Sequence, residues 1–173
     1  WMKAPNGQPT KLNEMQWLQV RTPNFKAWFG DWENDPKNAS KVVDSNGEPM
    51  VVYHGTPNGG FTEFSESKKG TRTSHAAEDV GFHFTDSVEY ADTYSLGYRL
   101  KTIEAYRSIF GEEPKAVKMP DGSSIYPVFL NIVNPVDVGA SKLINAKLIS
   151  QSQNKGHDGI VADIGGDNEF VAF

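Results

Sequence analysis

Three short stretches of this 173-residue chain carry residue types that can do chemistry. "VVYHGTP" at 51–57 runs a strand-like alternation into an imidazole (His54), a bare backbone (Gly55) and a hydroxyl (Thr56), and Pro57 then breaks the pattern. "GFHFTDSVEYADTY" at 81–94 reads as a strand followed by a helix, and brings a second imidazole, His83, and a phenol, Tyr94. "DNEFVAF" at 167–173 opens a strand with a carboxylate, Glu169. Each has a plainer reading when taken alone. Gly and Pro after His54 are ordinary turn punctuation, Tyr94 fits a core, and Glu169 fits a solvated strand position or a turn partner of Asn168.

Several chemistries are excluded by what is missing. No G-x-S-x-G elbow accompanies the histidines, and the absence of Cys removes thiol nucleophiles, disulfides and cysteine zinc sites. There is no H-E-x-x-H, and His54, His75, His83 and His157 lack metal-ligand spacing, so no metal is expected. Neither a P-loop nor a G-x-G-x-x-G between strand and helix occurs. The net charge of −5 gives no global electrostatic reason to bind nucleic acid. The N-terminus lacks the apolar core of a signal peptide and no run reaches membrane-spanning length, so a soluble chain is expected. Because it starts at Trp1 and stops in mid-strand at Phe173, it is expected to be a piece of something longer.

The elements that must position these residues can be read locally. With 38% hydrophobic and 23% charged residues the composition is globular, and the length suits one domain with a single core. Aromatics at 12% favour a stacked-ring pocket as well as that core. Two short helices open the chain, one capped by Asn13 and one by Thr22 with Pro23 in its first turn. Phe25, Trp28, Phe29 and Trp32 form an aromatic stripe expected to be core. "DSNGEP" at 44–49 is an Asn-Gly hairpin turn. Residues 65–81 read as a polar surface loop containing Lys68, Lys69, Arg72 and His75. Those cations could meet a pyrophosphate, though a solvated loop is the stronger reading.

After strand "GFHFT", a capping box of Asp86 and Glu89 starts a helix with Tyr90 and Tyr94 on one face. A further helix over "TIEAYRSIF" presents Ile103, Tyr106 and Phe110. "SIYPVFLNIVNP" alternates through Val128, Leu130 and Ile132, and a helix capped by Ser141 ends at Gly156 beside His157, a turn residue. "DGIVADI", a "GGDN" turn and "EFVAF" complete the chain. Segregated helices and short strands indicate α+β, with no internal repeat. The domain is read as 1–173, with a helical N-terminal part at 1–40 and a core at 41–173.

The three stretches, in this order, resemble the three motifs of the ADP-ribosyltransferase superfamily on its diphtheria-toxin and poly(ADP-ribose) polymerase side. "YHGT" resembles His-Gly-(Ser/Thr); "GFHF" resembles Gly-x-Tyr-Phe, with His83 in place of Tyr; and "NEFVAF" resembles the Glu-led third motif. Tyr94 lies eleven positions after His83, at the spacing of the second motif-two tyrosine. The flanks "KAPNGQPTKLNEMQWLQVRTPNFKAWFGDWE" and "SKVVDSNGEPMVVYHGT", with "FLNIVNP" and "GHDGIVAD", are similar to the ADP-ribosyltransferase domains of polyvalent proteins of phages and conjugative elements. Jointly these features outweigh the plainer reading of each residue.

The resemblance implies two packed, mainly antiparallel sheets forming an NAD cleft with flanking helices. It implies mono-ADP-ribosyl transfer from NAD, used as substrate without a metal, to a macromolecular acceptor, foremost a protein. Cleaving the nicotinamide–ribose bond develops positive charge on the ribose, as in glycoside hydrolysis, and a fixed carboxylate steadies it. That role falls to Glu169. His54 would hold ribose hydroxyls; Gly55 and Thr56 would meet the nicotinamide amide; and His83 and Tyr94 would pack against the ring. Arginine-directed relatives carry Arg in motif one and Glu or Gln two residues before the catalytic Glu; here these positions are His54 and Asp167. The acceptor therefore stays open, as does the compartment, whether a bacterial cytoplasm or a target cell entered by a toxin-like effector. Three alternatives remain: an NAD glycohydrolase, an RNA-modifying 2′-phosphotransferase relative disfavoured by the acidic charge, and a catalytically silent NAD-binding module.

Overall fold

The computed structural model describes residues 1–65, 81–95, 122–141 and 144–173. The helix expected over "TIEAYRSIF", nearly all of the 65–81 loop, and with them His75, Lys68, Lys69 and Arg72, lie outside those residues.

Helix α1 (Glu14–Gln19) starts where Asn13 and Gln16 cap each other's backbone amides, with bonds of 2.9 and 3.0 Å. Helix α2 (Pro23–Phe29) starts at Thr22, whose hydroxyl accepts from the Phe25 amide, and stops at Gly30 with φ of 95°. Phe25, Phe29 and Trp32 bury themselves with Leu12, Val20 and Ala39, as the stripe predicts. Trp28 departs from it, remaining 48% exposed. It stands one turn on from Phe25 at the rim of a two-turn helix, and covers only the edge of that ring.

The Asn-Gly turn at 44–49 is present, with Gly47 at φ of 77°, but it closes on the lone bridge Val43↔Pro49 instead of a full hairpin. A second copy exists at 3–9, where Gly7 has φ of 80° and Lys3 bridges Pro9. Ala4 N–H donates to Gln8 O just as Asp44 N–H donates to Glu48 O, and the Asn6 amide donates to Asn46 Oδ1 at 2.9 Å. This small repeat corrects the expectation of none; it was hidden because its shared letters are only "NG" and a following Pro. Glu48, 1% exposed, lies beneath the pair of turns. The Arg21 guanidinium meets it at 2.8 Å, the Thr10 hydroxyl donates to its other oxygen, and Arg21 lies 3.9 Å from the centre of the Trp17 ring.

The described strands are β1 (Val52–Thr56), β2 (Phe82–Thr85), β3 (Ser124–Val128), β4 (Pro135–Asp137), β5 (Gly159–Asp163) and β6 (Asn168–Ala172). They form one six-stranded sheet in the order β3-β1-β2-β6-β5-β4, antiparallel except for β4–β5. The architecture is therefore α+β, but with one sheet among the described residues where two packed sheets are implied. The physical reason is the β2–β6 ladder, registered from Phe82↔Ala172 to Thr85↔Glu169, which joins the two three-stranded halves edge to edge. Consecutive residues of β6 are buried, Phe170 at 3% and Val171 at 0%. Since strand side chains alternate, both faces are covered. Phe170 packs with Val52, Phe84, Leu130 and Ile132, and Val171 with Ile160 and Ile149. Each such side chain contributes roughly 1.5–3 kcal/mol by leaving water.

Three local expectations shift by a few residues. Leu130 and Ile132 are buried, but β3 stops at Val128; beyond it the Ser40 hydroxyl donates to Leu130 O and accepts from Ile132 N–H. Helix α4 (Ala146–Asn154) is capped by Asn145, not Ser141, which closes a 3-10 turn at Gly139–Ser141. Helix α3 (Val88–Ser95) is capped by the Ser87 hydroxyl, which accepts from the Tyr90 amide at 3.2 Å, and not by Asp86.

The Arg21–Glu48 pair generates a stability prediction. Removing one partner of a buried pair leaves the other charge uncompensated, at about 3–5 kcal/mol. Arg21→Ala is therefore expected to lower unfolding free energy by about that amount in urea titration. A loss under about 1 kcal/mol would show that Thr10 alone satisfies Glu48.

Candidate functional site

Glu169 begins β6 directly opposite Thr85 of β2 and Ala162 of β5. Thr85 in turn faces Tyr53 of β1, so Tyr53, Thr85 and Glu169 form a cross-strand row on one sheet face. His83, two residues before Thr85, shares that face. Its Nδ1 lies 2.7 Å from Glu169 Oε1, with the side chains 25% and 19% exposed. Helix α3 covers β1 on this face and α4 packs against β5, so the His83–Glu169 pair occupies a strip of sheet between two helices.

The start of β6 is pinned from outside the ladder. Both Asp86 oxygens accept from Asn168, one from its backbone amide and one from its side-chain amide, each at 2.7 Å. The turn before it is held by Asp163, whose Oδ1 accepts from the Gly165 and Gly166 amides at 2.9 Å. Hydrogen bonds first from Gly166 and then from Gly165 hold the Asp163 carboxyl below its ordinary value.

The other expected residues are arranged differently. The β1–β2 ladder registers only Tyr53↔Thr85; past that pair His54 Nδ1 donates to the His83 carbonyl at 2.8 Å. A carbonyl only accepts, so Nδ1 carries the proton. By strand alternation the His54 ring points to the opposite face from Glu169, where it meets Phe64 and Phe84 with centroids 5.1 and 5.6 Å away. His54 thus joins the pair through the backbone of His83. Gly55 lies beneath α3: a Cβ there would stand 1.7 Å from the Ala91 carbonyl oxygen. Thr56 is buried, and its hydroxyl accepts from the Asn58 amide at 3.3 Å, closing the turn. Tyr94 is 40% exposed on α3, its hydroxyl 3.1 Å from that of Tyr90. Of the six expected residues, His83 and Glu169 are brought into direct side-chain contact. Asp86 escaped sequence reasoning, because its spacing to Glu89 suggested a helix cap.

A cleft of about 410 Å³ is lined by Tyr53, Asp86 and Asp167 and by Lys11, Gln16 and Asp44. No group of His, Asp and Glu suited to holding a metal occurs among the described residues. No helix among them is long and apolar enough to cross a membrane.

A family model described as the ADP-ribosyltransferase in polyvalent proteins matches residues 44–158. That is more than half of the chain, which belongs to this family. ADP-ribosyl transfer is accordingly its general class of reaction, and NAD the substrate of such domains. No curated protein and no solved structure matches. The matched residues contain His54, Gly55, Thr56, His83 and Tyr94 and end before Glu169.

Two predictions follow from this geometry. Gly55→Ala should cost about 1–3 kcal/mol, since overpacking against a backbone oxygen leaves no flexible group to yield; an unchanged urea midpoint would show that α3 can shift off β1. For Asp163 the folded pKa is depressed, so its contribution is present above the ordinary aspartate value of 3.8 and lost as pH falls through the folded value. Asp163→Asn should therefore flatten the acid limb of the stability–pH curve below that value, measured by denaturant midpoints. An identical acid limb in the variant would remove Asp163 from it.

Proposed function

We propose that the chain is a mono-ADP-ribosyltransferase that cleaves the nicotinamide–ribose bond of NAD and passes ADP-ribose to a protein acceptor. The observation that carries this reading is Glu169, a carboxylate held at 2.7 Å from the motif-two His83 on a partly buried strip of sheet. In the reaction the C1′–N bond breaks and nicotinamide leaves with the electron pair. An acceptor nucleophile then bonds to C1′ and releases its proton to solvent. Positive charge grows on the ribose as the bond lengthens, and Glu169 stabilises it because a carboxylate fixed in advance needs no reorganisation at that moment.

NAD lies along the strip between α3 and α4, with the nicotinamide ring packing against Tyr94. His54, Gly55 and Thr56 shape the strand end beside it. The acceptor approaches from the cleft beside Asp167, two residues before Glu169. Residues 1–40 and 41–173 act as one domain, since Ser40 and Asn131 tie the helical part to the segment after β3.

Incubation of the chain with NAD and a bacterial lysate, following nicotinamide and the mass of each modified product, tests the reading. ADP-ribose attached to a protein is the expected result, and Glu169→Gln is expected to lower turnover about 10²–10³-fold while retaining NAD binding. Free ADP-ribose alone would replace transfer by hydrolysis, and equal turnover in Glu169→Gln would remove Glu169 from the mechanism.

A further inference from the structure

The residue at position 83 stands where the family resemblance puts an aromatic ring for nicotinamide. The contact it makes is of another kind, with Nδ1 at 2.7 Å from Glu169 Oε1. Register explains the reach: Thr85 is directly opposite Glu169, and His83 is the diagonal neighbour on the same face, within range of a planar side chain. The directly opposite residues do not do this job. Ala162 offers a methyl group, and the Thr85 hydroxyl, which accepts from the Ser87 amide at 3.2 Å, makes no hydrogen bond to Glu169. A tyrosine could not do it from position 83 in the same way, because its hydroxyl lies at the far end of the ring, whereas Nδ1 is two bonds from Cβ.

We propose that His83 is a positioning residue: its Nδ1–H donates to Glu169 Oε1 and fixes the carboxylate on the sheet face. One oxygen is held, and the other is directed at the ribose. The second histidine is then an orienting donor and not a stacking surface. The inference rests on the reading of Glu169 as the catalytic carboxylate, and its test separates the two.

Asn is the informative replacement, since its Nδ2 sits as many bonds from Cα as His Nδ1; Phe keeps an aromatic ring and loses the donor. The expected result is that His83→Asn keeps kcat for NAD cleavage within about threefold of wild type. His83→Phe should lower kcat about ten- to a hundredfold with KM for NAD little changed, as expected for a misplaced catalytic group. Thermal melts of both variants identify any that fail to fold. An active Phe variant beside an inactive Asn variant would overturn the proposal in favour of ring stacking. Wild-type kcat in both, or equal loss in both folded variants, would also overturn it.

The hydrogen bond has a readout that needs no turnover. In nitrogen-15 histidine NMR, a His83 Nδ1 proton protected from water exchange is expected in wild type and lost in Glu169→Ala. Its absence in wild type sinks the positioning role whatever the activity. Its presence in a chain that does not cleave NAD leaves the bond intact and overturns the catalytic reading of Glu169.

Discussion

The pairing of β2 with β6 is the constraint on which the rest of the structure depends. It joins residues separated by more than eighty positions, makes one sheet of two three-stranded halves, and fixes the diagonal between His83 and Glu169. A slip of one residue would turn Glu169 to the opposite face and take Phe170 out of its packing with Phe84, Leu130 and Ile132, so the packing of β6 enforces the register that sets His83 beside Glu169. The Asp86 carboxylate adds a clasp at the end of the ladder, taking both donors of Asn168. A ladder of four residue pairs gains its accuracy from that clasp and from hydrophobic cover on both faces.

Glycine and polar side chains take over where the regular ladder stops. Gly55 lets α3 approach β1 at backbone distance, so the helix bearing Tyr94 stays close to the sheet. His54 replaces a ladder bond with a side-chain donor to the His83 carbonyl, and the Ser40 hydroxyl serves two backbone groups after β3 ends. In the last two cases a backbone group away from bulk water keeps a partner, because a buried unpaired one would cost about 1–3 kcal/mol. Residues that read as a binding motif in the sequence thus also carry structural duties. His54 and Thr56 are held by the fold before any ligand arrives.

The N-terminal part is built on a different device. Two equivalent turns stack through Asn6 and Asn46 over a buried carboxylate, and Arg21 supplies its counter-charge from between Trp17 and Trp32. A flat guanidinium suits this place, because it stacks on rings while forking hydrogen bonds to a carboxylate and to backbone oxygens. The helices at 14–29 are short, and packing with this ion pair holds them more than propensity does.

Local chemistry determined a large share of what could be read from the sequence. The caps at Asn13 and Thr22, the Asn-Gly turn, the strands around 52–56, 82–85, 159–163 and 168–172, and the α+β class all follow from short-range rules of capping, turn geometry and alternation. The grouping of His54, His83, Tyr94 and Glu169 as residues of interest rests instead on the resemblance of their three motifs, in order, to those of the ADP-ribosyltransferases. Tertiary structure alone decided which of them touch. Strand register set His83 against Glu169 and sent the His54 ring to the other face. A close helix approach gave Gly55 a packing role. Asp86 left its expected cap for Asn168, and Ser87, one residue later, took the cap instead. These outcomes depend on pairings between segments far apart in the chain, and no local pattern encodes which residues will be opposite one another once the sheet closes.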